Sequence, residues 1–412
     1  MNLELLTELI EKYGSPLYIY DYEILQDRCE KMMKFKETLK AKLKHVKINI
    51  HYSSKANSNP AILKIVKNIG LYADSMSPFE LKMCQKSGFN KKEILYVCNN
   101  IDKNEMKLVN KEGILICFDS ISQVEAWGEL FPNTDIMIRI NPGIRGVGHS
   151  KKVITSGKET KFGISEENFT ELLRVIKKHN LNLIGIHQHL GSLFLNDKID
   201  DYIQGVKSGL ELINKYFPNI KILDLGGGFG VPYKPEEKAL DLNLLADRLC
   251  AVLKDFLDEI PNIHELKFEP GRYIPCESGM IIGKVIANKY ENKTWWIGTD
   301  IGMNQLVRPS MYNAYHEISI LTHNEEKNIV KANVCGNICE SSDILGKNIY
   351  LPLPNIDDII IVKNAGAYGY SMASNYTGRL RPAEVMIYGD NSEKLIRKRE
   401  TIEYLEENIV WD

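Results

Sequence analysis

A short apolar or β-branched run followed by an amphipathic stretch recurs eight times between residues 46 and 271. Such runs are typical of buried strands, and the stretches between them have the spacing of helices. This alternation predicts an α/β fold with a (β/α)8 barrel of the TIM type, whereas an open doubly wound sheet usually has fewer strands. The eight runs are 46–52, 70–75, 94–99, 114–119, 135–141, 183–189, 222–227 and 265–271.

A second, mostly β domain is expected after the alternation ends. Its strand-like runs are separated by Gly and Asn turns, and the alternating run 16–20 can join the same sheet. We expect the barrel at 30–275 and a domain resembling a β-sandwich or β-barrel at 1–29 plus 276–412. The expected strands of this domain are 280–287, 294–299, 317–321, 329–334, 359–363 and 384–388.

Composition excludes several classes of function. A net charge of −2 lacks the basic excess that nucleic-acid binding needs. No run approaches the length of a membrane span and no signal pattern is visible, so we expect a cytoplasmic protein without membrane contact. The eight cysteines are scattered along the chain and are predicted to be reduced. Cys335 and Cys339 have no second pair at zinc-site spacing, so no metal is expected.

Reactive side chains follow several of the predicted barrel strands. The βα loops at the C-terminal ends of barrel strands form the active site in this fold. Lys55 lies three residues past the first strand, Asp74 closes the second, and His187 and His189 close the sixth on one face. Taken singly, such a lysine is more often solvated, and such a histidine pair is structural more often than a metal site.

Two further motifs end the seventh and eighth strands. Three consecutive glycines suit a backbone that approaches an anion closely, although a flexible loop explains them equally well. Glu269 and Arg272 flank a stiff turn, and a salt bridge is the simpler explanation for that pair. Together these residues fit the cofactor pyridoxal 5′-phosphate (PLP). Its aldehyde forms an imine with an amine, its phosphate binds backbone donors, its ring stacks on a flat group such as an imidazole, and its ring nitrogen pairs with a carboxylate. The glycines are Gly226, Gly227 and Gly228.

These motifs together resemble the fold-type III PLP-dependent decarboxylases, a group with an alanine-racemase-like barrel that holds diaminopimelate, ornithine and arginine decarboxylases. The resemblance runs over nearly the whole chain, from 15–18 to 381–385. It implies that Lys55 is the Schiff-base lysine and that His189 stacks on the cofactor ring. Asp74 would support either Lys55 or the surroundings of the ring nitrogen. Glu269 would pair with the pyridine nitrogen. The other cofactor-binding residues that it implies are Ser192, Gly226, Gly227, Gly228, Gly271, Arg272 and Tyr368.

Motifs in the second domain resemble diaminopimelate decarboxylases in particular. Segment 308–312 is similar to one whose arginine and tyrosine hold substrate carboxylate. Segment 339–343 is similar to a loop supplied by the partner subunit, with Ser342 where a glycine is usual. Segments 141–150 and 161–163 also resemble this family. The resemblance implies catalysis by Lys55 and Cys339, and substrate contacts by Arg272, Arg308, Tyr312, Glu340 and Tyr368.

The resemblance implies a homodimer with shared active sites that converts meso-2,6-diaminopimelate, a small amino acid, to L-lysine and CO2. Three alternatives stay open. One is a related decarboxylase acting on carboxynorspermidine, ornithine, arginine or a D-amino acid. A second is an amino-acid racemase, which Glu269 disfavours because a protonated ring nitrogen makes the cofactor a strong electron sink. A third is a regulatory homologue without cofactor that binds a protein, which the retention of Lys55, Glu269 and Cys339 disfavours.

Overall fold

The computed structural model describes residues 2–143, 147–148, 157, 160–322 and 328–411, with only the backbone of 147 and 148. The family-like segment 141–150 therefore lies partly outside the described residues. The chain forms two compact units. A barrel unit comprises Asp27–Pro232 and Glu237–Tyr273, and a β-rich unit comprises Met1–Gln26, Tyr233–Glu236 and Ile274–Asp412.

The strands are numbered along the chain. They are β1 (Leu17–Asp21), β2 (Lys47–Ser53), β3 (Tyr72–Ser75), β4 (Ile94–Val97), β5 (Leu115–Phe118), β6 (Asp135–Arg139), β7 (Val147–Gly148), β8 (Asn182–His187), β9 (Gly191–Ser192), β10 (Ile222–Asp224), β11 (Glu265–Phe268), β12 (Gly279–Glu291), β13 (Thr294–Thr299), β14 (Ile318–Leu321), β15 (Ile329–Cys335), β16 (Ile344–Pro352), β17 (Ile359–Val362), β18 (Ala383–Ile387) and β19 (Glu393–Arg397).

The helices are numbered in the same way. They are α1 (Leu3–Tyr13), α2 (Tyr22–Lys42), α3 (Pro60–Ile69), α4 (Pro78–Lys86), α5 (Lys103–Glu112), α6 (Ile121–Leu130), α7 (Phe169–Lys178), α8 (Ile199–Tyr216), α9 (Leu242–Glu259), α10 (Arg308–Tyr312) and α11 (Ile402–Glu406). Short 3-10 turns occupy Ser54–Ala56, Glu166–Asn168, Asn196–Lys198, Tyr370–Met372 and Tyr376–Gly378.

Eight parallel strands close into a barrel in the order β2-β3-β4-β5-β6-β8-β10-β11, so the predicted fold class is confirmed. Each of the eight runs singled out in the sequence supplies one strand. All residues of β4 are buried, as are all of β2 except its first. Parallel strands are covered on both faces, which is why these segments are almost continuously apolar.

Local capping fixes where the barrel helices begin and end. Asn59 accepts the N–H of Ala61 at the start of α3, Pro60 occupies the first turn, and Gly70 ends the helix in a left-handed conformation. These signals confine the segment between β2 and α3 to a tight connection, and the 3-10 turn that carries Lys55 lies within it.

The β-rich unit contains a nine-stranded sheet whose main path is β16-β15-β13-β12-β1-β18-β19, with β17 pairing to β12 and β14. Strand β1 pairs antiparallel with β12 and parallel with β18, so the N-terminal run does join this sheet. The sequence analysis missed β16 and β19. Both carry many exposed positions, which weakens the apolar pattern that identifies a strand.

Two further features of the described residues concern membrane spans and disulfides. No helix among them is long and apolar enough to cross a membrane. The eight cysteines, all of which are described, form no disulfide, and six are buried.

Candidate active site

Lys55 and Asp74 lie at the ends of neighbouring barrel strands. The register of β2 and β3 pairs Ser53 with Asp74, and the Ser53 hydroxyl donates to Asp74 Oδ2 at 2.8 Å. The Ser54 hydroxyl donates to the Asp74 carbonyl, also at 2.8 Å, which ties the turn carrying Lys55 to β3. Burial, with the nearby Glu269 charge, raises the pKa of Asp74 to about 7, and the Lys55 cation opposes that rise.

Glu269 directly follows β11 and is almost fully buried. Its Oε2 lies 3.1 Å from His187 Nε2. Burial lowers the pKa of His187 to about 4, so at neutral pH this ring is uncharged and donates from Nε2 to the carboxylate. Burial also raises the pKa of Glu269, and the cations of Lys55 and Arg139 oppose the rise. An oriented carboxylate thus lies close enough to the Lys55 amine to feel its charge.

Asp224, the last residue of β10, adds a carboxyl group that the sequence analysis did not assign. Its ligand atoms lie within 4.8 Å of those of His187 and Glu269. Burial and the Glu269 charge raise the pKa of Asp224 well above its ordinary value, which favours a proton on this carboxyl. Its hydrogen bond to Glu269 then stabilises the ionised form of Glu269. Such groups also bind metals, and the expectation of no metal stays a prediction.

His189 presents a half-buried, neutral ring. The Gly227 N–H donates to His189 Nδ1 at 3.0 Å, so the ring proton is on Nε2. Burial, with the Arg139 and Lys55 charges, lowers the pKa of His189 well below its usual value. Its ring lies nearly parallel to that of His187, with centroids 6.4 Å apart. A flat uncharged imidazole held in this way is suited to stacking on an aromatic ring.

The glycine loop differs from the expectation of three open backbone donors. The Gly226 N–H donates to Asp224 Oδ1 at 2.9 Å and the Gly227 N–H to His189. Among the described residues, the Gly228 N–H has no such acceptor. The glycines are instead required by close packing, since a Cβ at Gly227 would lie 1.9 Å from the Glu269 carbonyl oxygen. Of these three N–H groups, only that of Gly228 is therefore left to bind an anion.

Other predicted residues lie in the same barrel unit. Gly271 and Arg272 are buried directly after Glu269, and Ser192 is half-buried in β9. The sequence analysis missed Arg139, which is buried at the end of β6 with its Cζ 4.6 Å from the Phe162 ring centroid. Its position directly at a strand end was the available signal.

The β-rich unit contains the predicted substrate residues Arg308, Tyr312 and Tyr368. Arg308 begins α10 and is only 1% exposed. A guanidinium this deeply buried is costly unless its hydrogen bonds are satisfied, and Arg308 Nη1 donates to the side chains of Tyr233 and His316. Tyr312 and Tyr368 are half-buried, and Tyr368 has a positive φ of 57°.

The loop 339–343 exposes Cys339 and Glu340 and anchors itself through Asp343. The Asp343 carboxylate accepts the N–H of Met303 at 2.6 Å and of Ile338 at 2.7 Å. Glu340 accepts a hydrogen bond from the Tyr376 hydroxyl. Ser342 does not have a positive φ, so a residue with a side chain causes no backbone strain at this position.

Comparison with known proteins decides the family. Residues 27–276 match the model of the pyridoxal-dependent decarboxylase family, pyridoxal binding domain. Diaminopimelate decarboxylase of Aquifex aeolicus is 35% identical over 98% of this chain and 93% of its own length. That of Methanothermobacter thermautotrophicus is 32% identical over 96% and 91%.

The chain belongs to the diaminopimelate decarboxylase family.

A crystal structure supports the same assignment over both units. Diaminopimelate decarboxylase from Helicobacter pylori complexed with L-lysine superposes with a TM-score of 0.85, at 30% identity, covering 98% of each chain. Diaminopimelate decarboxylases are PLP-dependent amino-acid decarboxylases, and PLP is the cofactor of this chain.

The residues of the barrel fit this cofactor. Glu269 Oε1 is buried, and no N–H donor among the described residues reaches it. A buried carboxylate oxygen that accepts no N–H bond is suited to accept one from the protonated ring nitrogen of PLP. Lys55 would supply the amine for the aldehyde, and His189 would supply the flat ring. The barrel therefore contains an amine, a carboxylate and an imidazole that fit this cofactor.

Proposed function

We propose that this protein decarboxylates meso-2,6-diaminopimelate to L-lysine and CO2. The observation that carries the proposal is the cluster in which Lys55 lies near Glu269 while His187 and Asp224 hold that carboxylate. Close relatives named diaminopimelate decarboxylase over nearly the full length support the choice of substrate.

We assign the cofactor-binding roles within the barrel as follows. When bound, PLP supplies an electron sink for the carbanion that remains after CO2 loss. Lys55 would hold the PLP aldehyde through its amine, and Asp74 would hold the turn that carries Lys55. Glu269 keeps a proton on the ring nitrogen, and His189 covers one face of the ring. The phosphate would be bound by Ser192 and the Gly228 N–H, with Gly226, Gly227, Gly271, Arg272 and Tyr368 completing the site.

Substrate recognition is assigned to charges that match a distal amino-acid group. Arg308 would bind the distal carboxylate, and Glu340 the distal ammonium, because a zwitterion requires both signs. Tyr312, Tyr368 and Arg272 would support the carboxylate.

Completion of the site is assigned to a second subunit. Cys339 from the partner subunit, or Lys55, would return a proton to the carbon that lost CO2. The protein would then act as a cytoplasmic homodimer with shared sites.

Release of CO2 by the purified PLP-loaded protein tests the substrate. We expect release from meso-diaminopimelate and none from ornithine, arginine, carboxynorspermidine or lysine. Release only from one of these other amines would keep the family but refute the roles given to Arg308 and Glu340.

A further inference from the structure

The guanidinium of Arg308 is held by two side chains of the β-rich unit. Its Nη1 donates to Tyr233 Oη at 2.9 Å and to His316 Nε2 at 2.8 Å. Its Cζ lies 4.7 Å from the centroid of the Tyr233 ring. A guanidinium carries five N–H donors in a planar fork. These two bonds use both hydrogens of Nη1 and therefore fix the plane of that fork.

The partners of His316 determine where its proton is. Arginine Nη1 can only donate, so His316 Nε2 accepts with its lone pair. The Lys363 carbonyl can only accept, so His316 Nδ1, 2.8 Å away, carries the hydrogen. The ring is 3% exposed. His316 is therefore held as one neutral tautomer, because a proton on Nε2 would face the N–H of Arg308.

Tyr233 is oriented by a similar chain of bonds. The Cys276 thiol donates to the Asn364 carbonyl at 3.3 Å, so the Tyr233 hydroxyl donates to Cys276 Sγ at 3.0 Å. The Tyr233 oxygen is then left to accept from Arg308. Both chains of hydrogen bonds end on adjacent carbonyls, those of Lys363 and Asn364, directly after β17. One backbone segment thus sets the orientation of Arg308 through two side chains.

We propose that His316 is a positioning residue that orients Arg308 for the distal carboxylate of the substrate, with Tyr233 as its second support. This rests on the proposed function, in which Arg308 binds that carboxylate. Two parallel N–H···O bonds to a carboxylate need the fork held within roughly 10–20° of the productive geometry. Loss of His316 should weaken binding of the distal group more than it changes the reaction at the other end of the substrate.

Variants of His316 in the PLP-loaded enzyme test this role. His316→Leu should raise the KM for meso-diaminopimelate and the Kd for L-lysine, which retains the distal carboxylate, by about tenfold, with kcat changed by less than about threefold. His316→Gln carries an acceptor and a donor in one amide, so it should stay within about threefold of wild type in all three constants. Tyr233→Phe should raise KM and Kd in the same direction as His316→Leu.

Two results would overturn the proposal. One is a folded His316→Leu protein with wild-type KM and Kd, and the other is a His316→Gln protein that is as impaired as His316→Leu. The proposed function fails separately, through a wild-type enzyme that neither releases CO2 from meso-diaminopimelate nor binds L-lysine.

A measurement on the wild-type protein covers the case in which His316→Leu does not fold. The 15N shifts of the His316 ring report its tautomer directly. We expect a neutral ring protonated at Nδ1 at pH 7, shifted in Arg308→Lys, which loses the fork. A ring protonated at Nε2, or at both nitrogens, would overturn the proposal.

Discussion

Lys55 is the residue on which the proposed chemistry depends most directly. Lys55→Ala should lower CO2 release by at least about a thousandfold, because the variant lacks the amine assigned to the cofactor aldehyde and one of the two candidates for returning the proton. The variant should still fold, since Lys55 is only half-buried in a short turn. Activity assays with circular dichroism melting check both statements. Lys55→Arg, which keeps the charge but cannot form the bond, should be equally inactive, and normal turnover in either variant would refute the role.

The raised pKa of Asp74 predicts how the stability of the cofactor-free protein depends on pH. Its folded pKa of about 7 lies above the ordinary 3.8, so folding binds a proton between these values. The wild type should therefore lose stability relative to Asp74→Asn as pH rises from 4 to 7, by up to about 1.4 kcal/mol for each pKa unit. Above pH 7 the difference should level off.

Urea unfolding of both proteins at several pH values measures this difference. Asp255→Asn, which removes an exposed carboxylate on α9, is the control. A constant difference between Asp74→Asn and wild type from pH 4 to 7 would show that Asp74 is not a high-pKa group.

Individual site residues differed in how well sequence predicts them. Lys55, Asp74 and Glu269 follow apolar runs directly, so their strand-end positions were visible. His187 and Asp224 also end strands, but their partnership with Glu269 depends on burial and on distances across the barrel. Arg139 was missed for the same reason. The three-dimensional fold determines which titratable side chains lie close enough to interact in a buried cluster, and spacing along the chain does not show this.

At the scale of elements, the barrel strands were predictable because burial on both faces makes each one a continuous apolar run. The glycine loop after β10 was located correctly, but its backbone hydrogen bonds were not. Two of its three N–H groups bind side chains that come from the strand before it and from the segment after β8. The glycines in the sequence show that this loop can adopt unusual backbone conformations. Which side chains accept hydrogen bonds from its N–H groups depends on how the neighbouring strands pack.

Gly227→Ala tests the packing role of this loop. The added Cβ would lie 1.9 Å from the Glu269 carbonyl oxygen, so the loop or Glu269 must move. We expect a loss of about 2 kcal/mol or more in the free energy of unfolding. PLP binding should weaken as well. In the control Gly298→Ala, the nearest atom is 3.2 Å away, and a smaller loss is expected. Equal losses in the two variants, measured by urea unfolding, would contradict the packing role.

At the scale of the whole molecule, shared active sites predict complementation between inactive subunits. If Cys339 of the partner subunit returns the proton, Lys55→Ala and Cys339→Ala homodimers should each be strongly impaired. After dissociation and random reassociation, half of the dimers are mixed, and one of the two sites in each mixed dimer is intact. About a quarter of wild-type activity should therefore return. Activity no greater than the sum of the two separate variants would show that each subunit builds its own site.

The most direct test of the central claim is the product formed from meso-diaminopimelate in D2O, identified by NMR. Loss of CO2 leaves a carbanion that takes up one solvent-derived proton. We predict L-lysine with a single deuterium on its ε carbon, together with one equivalent of CO2. Recovery of diaminopimelate that carries deuterium at Cα, without lysine, would contradict the account and identify a racemase.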